Sequence, residues 1–182
     1  MLIKNNSKEK EKNFSAKDCV SIAVFVAIVI AVQVVISAVP GVELVTVLFV
    51  SYSFVAGAKK GMISATAFTL LRQIVFGFFP TVLILYLIYF NLLTLTFGVL
   101  GKKIDKGLKW LPIIVVLACV GTVFFTLIDC IITAFWYNYS MRIIVNYAYA
   151  SMTFMIPQII CTVVSVSIFF PPLIKIFKMI LN

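Results

Sequence analysis

The chain has no histidine and only six acidic residues among its 182. Without histidine, imidazole acid–base chemistry and histidine-containing metal sites are both excluded. The four cysteines, Cys19, Cys119, Cys130 and Cys161, stand singly with no paired metal-ligand spacing, and read as small, reduced, apolar residues. There is no glycine-rich phosphate loop of the G-x-x-x-x-G-K-[ST] kind, so no nucleotide chemistry is expected. No internal repeat, low-complexity tract or long linker divides the chain. Charge of either sign is sparse, at 12% of residues against roughly 25% in a soluble domain.

What fills the chain instead is hydrocarbon: 63% of residues are hydrophobic and the mean hydropathy is +1.17. A water-soluble fold of this length has too little interior to hide that surface, so the expected class is an all-α membrane protein. The net charge of +9 raises the question of nucleic acid, and the position of the lysines answers it. Thirteen of the fifteen basic residues fall in four clusters: Lys4, Lys8, Lys10, Lys12 and Lys17; Lys59 and Lys60; Lys102, Lys103, Lys106 and Lys109; Lys175 and Lys178. Between clusters the apolar stretches are long enough to cross a bilayer twice, which places every cluster on one side, the cytoplasmic one. The expectation is a six-transmembrane-helix bundle with N and C termini in the cytoplasm.

Residues 1–17 read as a polar cytoplasmic tail and 18–182 as one transmembrane domain. The first helix is expected over about 18–39, too long for the apolar core of a secretory signal and hence uncleaved, ending at Pro40-Gly41. The second and third are expected over about 42–58 and 62–79, joined at Lys59-Lys60-Gly61, and the fourth over about 81–100. The fifth starts near Trp110 and Pro112 and reaches Trp136. An aromatic and polar outer segment follows to Tyr149, then a sixth helix over about 150–170 bent near Pro157, and a basic tail after Pro171-Pro172.

Ionisable groups in hydrocarbon are costly, and mark either a functional site or a paired structural network. Arg72 in the third helix and Asp129 in the fifth each lie about seven residues, or roughly 10 Å, from the outer end, and Glu43 stands at the mouth of the second. One reading pairs Arg72 with Glu43, Asp129 or both, purely as a scaffold; the other leaves these groups for a ligand. Asn91 and Gln158 lie deeper and could form a polar floor or bond neighbouring helices. Trp136, Tyr137, Tyr139, Asn146 and Tyr147 could roof a pocket or make an interfacial belt, with Tyr86 and Tyr89 extending the wall. Ala23, Ala27 and Ala31 recur at four-residue spacing, a smooth strip that permits close approach by a helix of this chain or of a partner.

Six helices with cytoplasmic ends, a basic tail leading into the strip Ala23, Ala27, Ala31, and an aromatic outer segment between the last two helices together resemble the substrate-binding S component of an energy-coupling factor (ECF) transporter. The run Pro40-Gly41-Val42-Glu43-Leu44-Val45-Thr46 is also similar to the start of the second helix in some members. The resemblance implies a subunit in a prokaryotic plasma membrane that captures a vitamin or related micronutrient from outside and topples in the membrane to release it. It implies as partners a transmembrane T subunit, on which the alanine strip rests, and two cytoplasmic ATPase subunits. No catalytic residue, metal or resident cofactor is implied. Ligand contacts in that family come from the first outer loop and the last three helices, which favours Glu43, Asn91, Asp129, Trp136, Tyr137, Asn146, Tyr147 and Gln158 over Arg72 and Gln73. The competing readings are a stand-alone permease, against which no inverted repeat is visible, and a small intramembrane enzyme.

Overall fold

The computed structural model describes residues 15–39, 43–104 and 107–181. The expected Pro40-Gly41 turn, most of the polar tail and the Asp105-Lys106 part of the basic loop lie outside the described residues. Six α-helices and a short 3-10 turn at Gly107–Trp110 account for the architecture, with no strand among the described residues. The helices are α1 (Ala16–Ile36), α2 (Val45–Ala56), α3 (Ala58–Phe76), α4 (Pro80–Lys103), α5 (Leu111–Trp136) and α6 (Met141–Leu181).

Local chemistry sets several of these limits. The Ser15 backbone N–H donates to Asp18 Oδ2 at 3.2 Å, satisfying a donor at the start of α1. Gly57 is the only residue between α2 and α3, and its φ of +85° explains why glycine stands there. Proline opens α4 at Pro80 and sits in the first turn of α5 at Pro112, positions where its missing N–H costs nothing.

Three expectations are corrected. The second helix has 12 residues rather than 17, about 18 Å of rise, less than the ~30 Å of a hydrocarbon core. The outer aromatic segment is a turn of only a few residues, because α6 begins at Met141. That helix runs 41 residues through Pro157, Pro171 and Pro172 without breaking, so it takes in both the expected outer segment and the basic tail.

α1, α4, α5 and α6 are long and apolar enough to cross a membrane, as in a multi-pass membrane protein. α3 is diluted by Lys59, Lys60, Arg72 and Gln73, and α2 is short. The exterior is apolar, with Val35, Ile74, Phe135 and Met141 all more than three-quarters exposed. The interior holds hydroxyls: Ser51, Ser64, Thr69 and Thr94 are buried, each donating to the carbonyl four residues back. Apolar outside with small satisfied polar groups inside suits a lipid solvent.

α2 is the hub, buried at every position from Val45 to Phe54 and packed against α3, α4 and α6. Around it lies an aromatic core: Phe25 stacks on Tyr52 at 3.9 Å, Phe49 meets Phe90 at 4.8 Å and Phe68 at 5.2 Å, and Phe177 closes on Phe25 and Tyr52. A side chain at Gly98 would collide with the backbone of Ala58, and one at Gly101 with the Phe54 carbonyl, so α4 lies directly on the α2–α3 corner.

These contacts collect the basic clusters at one end. Lys60 Nζ pairs with Asp18 Oδ1 at 2.6 Å, tying the start of α3 to the start of α1, next to Lys17. Lys102 and Lys103 end α4 beside the same corner, and Lys175 and Lys178 flank Phe177. The first and last described helices thus begin and end at the same end of the bundle.

Candidate binding site

The opposite end is hollow. The last turns of α1, the approach to α2, and single faces of α3, α4, α5 and α6 enclose a cavity of about 300 Å³. Gln33, Glu43, Arg72, Tyr86 and Gln158 supply its polar lining, with Phe76 and Phe125 among the apolar walls.

Arg72 is the least satisfied of these groups. Its guanidinium carbon lies 4.9 Å from the centre of the Phe76 ring, one turn further along α3, and 4.6 Å from that of Tyr86 on α4. Nε and Nη1 are buried with no hydrogen-bond partner among the described residues. The ion pair found within 4 Å among those residues is Lys60–Asp18, so of the two readings of Arg72 the direct pairing with Glu43 or Asp129 is not formed. Two aromatic faces stabilise a desolvated guanidinium by about 2 kcal/mol or more, and the cost of burying an unpaired ion is several kcal/mol.

Glu43 is held from two directions. Its Oε1 accepts from the Thr46 hydroxyl at 2.9 Å, and its backbone N–H donates to Cys161 Sγ at 3.2 Å, anchoring the start of α2 on α6. Gln33 Nε2 donates to the Tyr86 hydroxyl at 3.4 Å, leaving Gln33 Oε1 buried without a partner. The cavity therefore presents a cation with unused donors, a carboxylate, and an amide oxygen with unused acceptor capacity.

A second cavity, of about 250 Å³, lies between α5 and α6, lined by Asp129, Tyr147, Thr126 and Ser151. Asp129 Oδ2 accepts from the Tyr147 hydroxyl at 2.7 Å. Phe125 and Gln158 line both cavities and form the partition between them.

The expected site residues thus divide. Glu43, Arg72 and Gln158 share the first cavity, and Asp129, Tyr147 and Gln158 the second. Asn91 is not a floor: its Nδ2 donates to the Leu87 carbonyl at 2.8 Å and to Thr66 Oγ1 at 3.3 Å, joining α4 to α3. Trp136 and Tyr137 are 51% and 56% exposed and line neither cavity, because they sit two turns beyond Asp129, about 10 Å along the axis. Asn146 is exposed, since a residue adjacent to the inward Tyr147 on a helix is turned about 100° away. Gln33 was not anticipated, although a lone amide in an apolar helix is itself a signal.

Among the described residues nothing covers the alanine strip. Ala23, Ala27 and Ala31 are exposed and form one wall of an apolar groove of about 680 Å³ whose other wall is Ile63, Ala67, Leu71 and Ile74 of α3.

Comparison with known protein families, curated proteins and solved structures gives no match to this chain.

Proposed function

We propose that the chain is the substrate-binding membrane subunit, or S component, of an ECF-type ABC importer that captures a vitamin or related micronutrient. The observation that carries the reading is the polar cavity of Gln33, Glu43, Arg72 and Gln158, at the end of the bundle away from the lysines. With the lysine-rich end in the cytoplasm, the cavity faces the outside of a prokaryotic plasma membrane. The chain then makes six crossings, with the short α2 shielded by its neighbours. Both termini are cytoplasmic.

Transport in this reading needs partners. The exposed strip of Ala23, Ala27 and Ala31 supports docking on a T subunit, because small side chains let helices approach closely where lipid offers no hydrophobic drive. Two cytoplasmic ATPase subunits supply energy, and the chain itself carries no catalytic residue and no cofactor.

Expression in a host that supplies the T and ATPase subunits tests this directly. The chain should co-purify with them, and Ala27→Trp should abolish uptake and co-purification while leaving ligand binding unchanged. Uptake by the purified chain alone in liposomes would instead make it a self-sufficient permease, and loss of ligand binding in Ala27→Trp would remove the docking role.

A further inference from the structure

We infer that the ligand of the Arg72 cavity is a small anion that also carries a hydrogen-bond donor, and that Arg72 is its anchoring residue. The inference deepens the importer reading and rests on it for the cavity's role as the substrate site.

The argument starts from what the cavity leaves unmet. Arg72 carries buried Nε and Nη1 donors with no partner among the described residues, and no carboxylate of those residues stands within 4 Å of it. Tyr86 and Phe76 stabilise the cation through their ring faces, and Nε and Nη1 still lack an acceptor among the described residues. A guanidinium in this state favours an anion, because an ionised acceptor makes the stronger, charge-assisted hydrogen bond.

The acceptors in the same cavity define the other end of the ligand. Glu43 lines it as a carboxylate with one oxygen engaged by Thr46, and Gln33 Oε1 is buried and unpartnered. Both call for a donor, which a purely anionic ligand lacks. The pairing of anion and donor on one molecule is therefore what the wall selects. At about 300 Å³ the space lies at the low end of ligand cavities, and the rings of Tyr86, Phe76 and Phe125 favour a flat body between the two ends.

Arg72 lies on α3, outside the first outer loop and the last three helices from which the resemblance would draw the contacts. Its role comes from the cavity alone.

The test uses the full chain purified in detergent and three size-matched probes: 4-aminobenzoate with both features, benzoate without the donor, and 4-aminobenzamide without the anion. Titrated by thermal shift, 4-aminobenzoate should bind at least tenfold more tightly than 4-aminobenzamide and more tightly than benzoate. Arg72→Gln should erase the preference for the acid over the amide, Arg72→Lys should keep part of it, and Glu43→Gln should reduce the preference over benzoate. Equal binding of acid and amide by the unaltered chain, acid preference surviving in Arg72→Gln, or no binding of any probe would overturn the inference. If Arg72→Gln fails to fold, the probe series on the unaltered chain and on Arg72→Lys decides. Co-purification of the ATPase subunits is scored on the same preparations. Lost anion preference with the ATPase subunits present overturns the anchor alone, and anion preference without them overturns the importer reading alone.

Discussion

The two ends of this bundle solve opposite packing problems with the same helices. At the lysine end Phe25, Tyr52 and Phe177 close ring against ring, and glycines at 98 and 101 bring α4 onto the α2–α3 corner. At the other end α1, α3, α4, α5 and α6 contribute polar or aromatic side chains that stop short of one another and leave about 300 Å³ between them. Lipid gives helices no hydrophobic reason to associate, so cohesion must come from contact and hydrogen bonding. The filled end supplies that cohesion, which allows the hollow end to keep Arg72 and Gln33 unsatisfied without loss of the fold. Stability and recognition are thereby separated along the bundle axis.

Substitutions should respect that separation. The largest effect is expected at Gly98→Leu, where a side chain meets the Ala58 backbone rather than a movable side chain. Overpacking of that kind costs ~3 kcal/mol, and should appear as a collapsed yield of monodisperse protein and a lowered unfolding midpoint in detergent. Ligand affinity measured on any folded fraction should stay unchanged; a fully stable Gly98→Leu chain would show that the corner is not close-packed.

Gln33→Leu should behave in the reverse way. It removes an unpartnered buried oxygen along with a long 3.4 Å hydrogen bond to Tyr86, so stability should move by no more than about 1 kcal/mol. Affinity for whatever molecule stays bound through purification should fall about tenfold or more, read by mass spectrometry of the retained ligand. A large stability loss with unchanged retention would assign Gln33 to the scaffold and blur the contrast between the ends.

The smallest effect is expected from Trp136. It is half exposed beyond both cavities, so its fluorescence should be nearly silent when ligand fills the Arg72 cavity, after Trp110 is replaced by Phe to isolate the signal. A strong change would extend the site to the end of α5.

Much of the organisation was legible before any coordinates. The apolar runs and lysine clusters gave the expected helices in order, with limits close to those of α1, α4 and α5. Errors fell where tertiary contact overrides local signal. Pro157 read as a bend or break and Pro171-Pro172 as the end of the helix, yet α6 continues through all three, since packing against α2 and α5 holds the helix where backbone hydrogen bonds are lost. Val42 to Ala58 read as one apolar span, whereas α2 covers Val45 to Ala56, Gly57 at positive φ ends it and Ala58 already opens α3.

The site was legible only in part, and for a related reason. Glu43, Arg72, Asp129 and Gln158 stood out as polar groups in apolar surroundings and Tyr147 as part of the outer aromatic segment, and each lines a cavity. Asn91 stood out equally and instead bonds Thr66, because depth along a helix says nothing about which way a side chain turns. Arg72 ranked low by resemblance and is central by geometry.

Sequence by itself determined that this chain favours a membrane and which ends of its helices carry positive charge, because both follow from sums over neighbouring residues. Only the tertiary structure decided that Gln33, Glu43, Arg72 and Gln158 face one cavity while Asp129 and Tyr147 face another. That depends on the rotation of each helix about its axis, where a shift of one residue turns a side chain by about 100° and moves it from ligand to lipid.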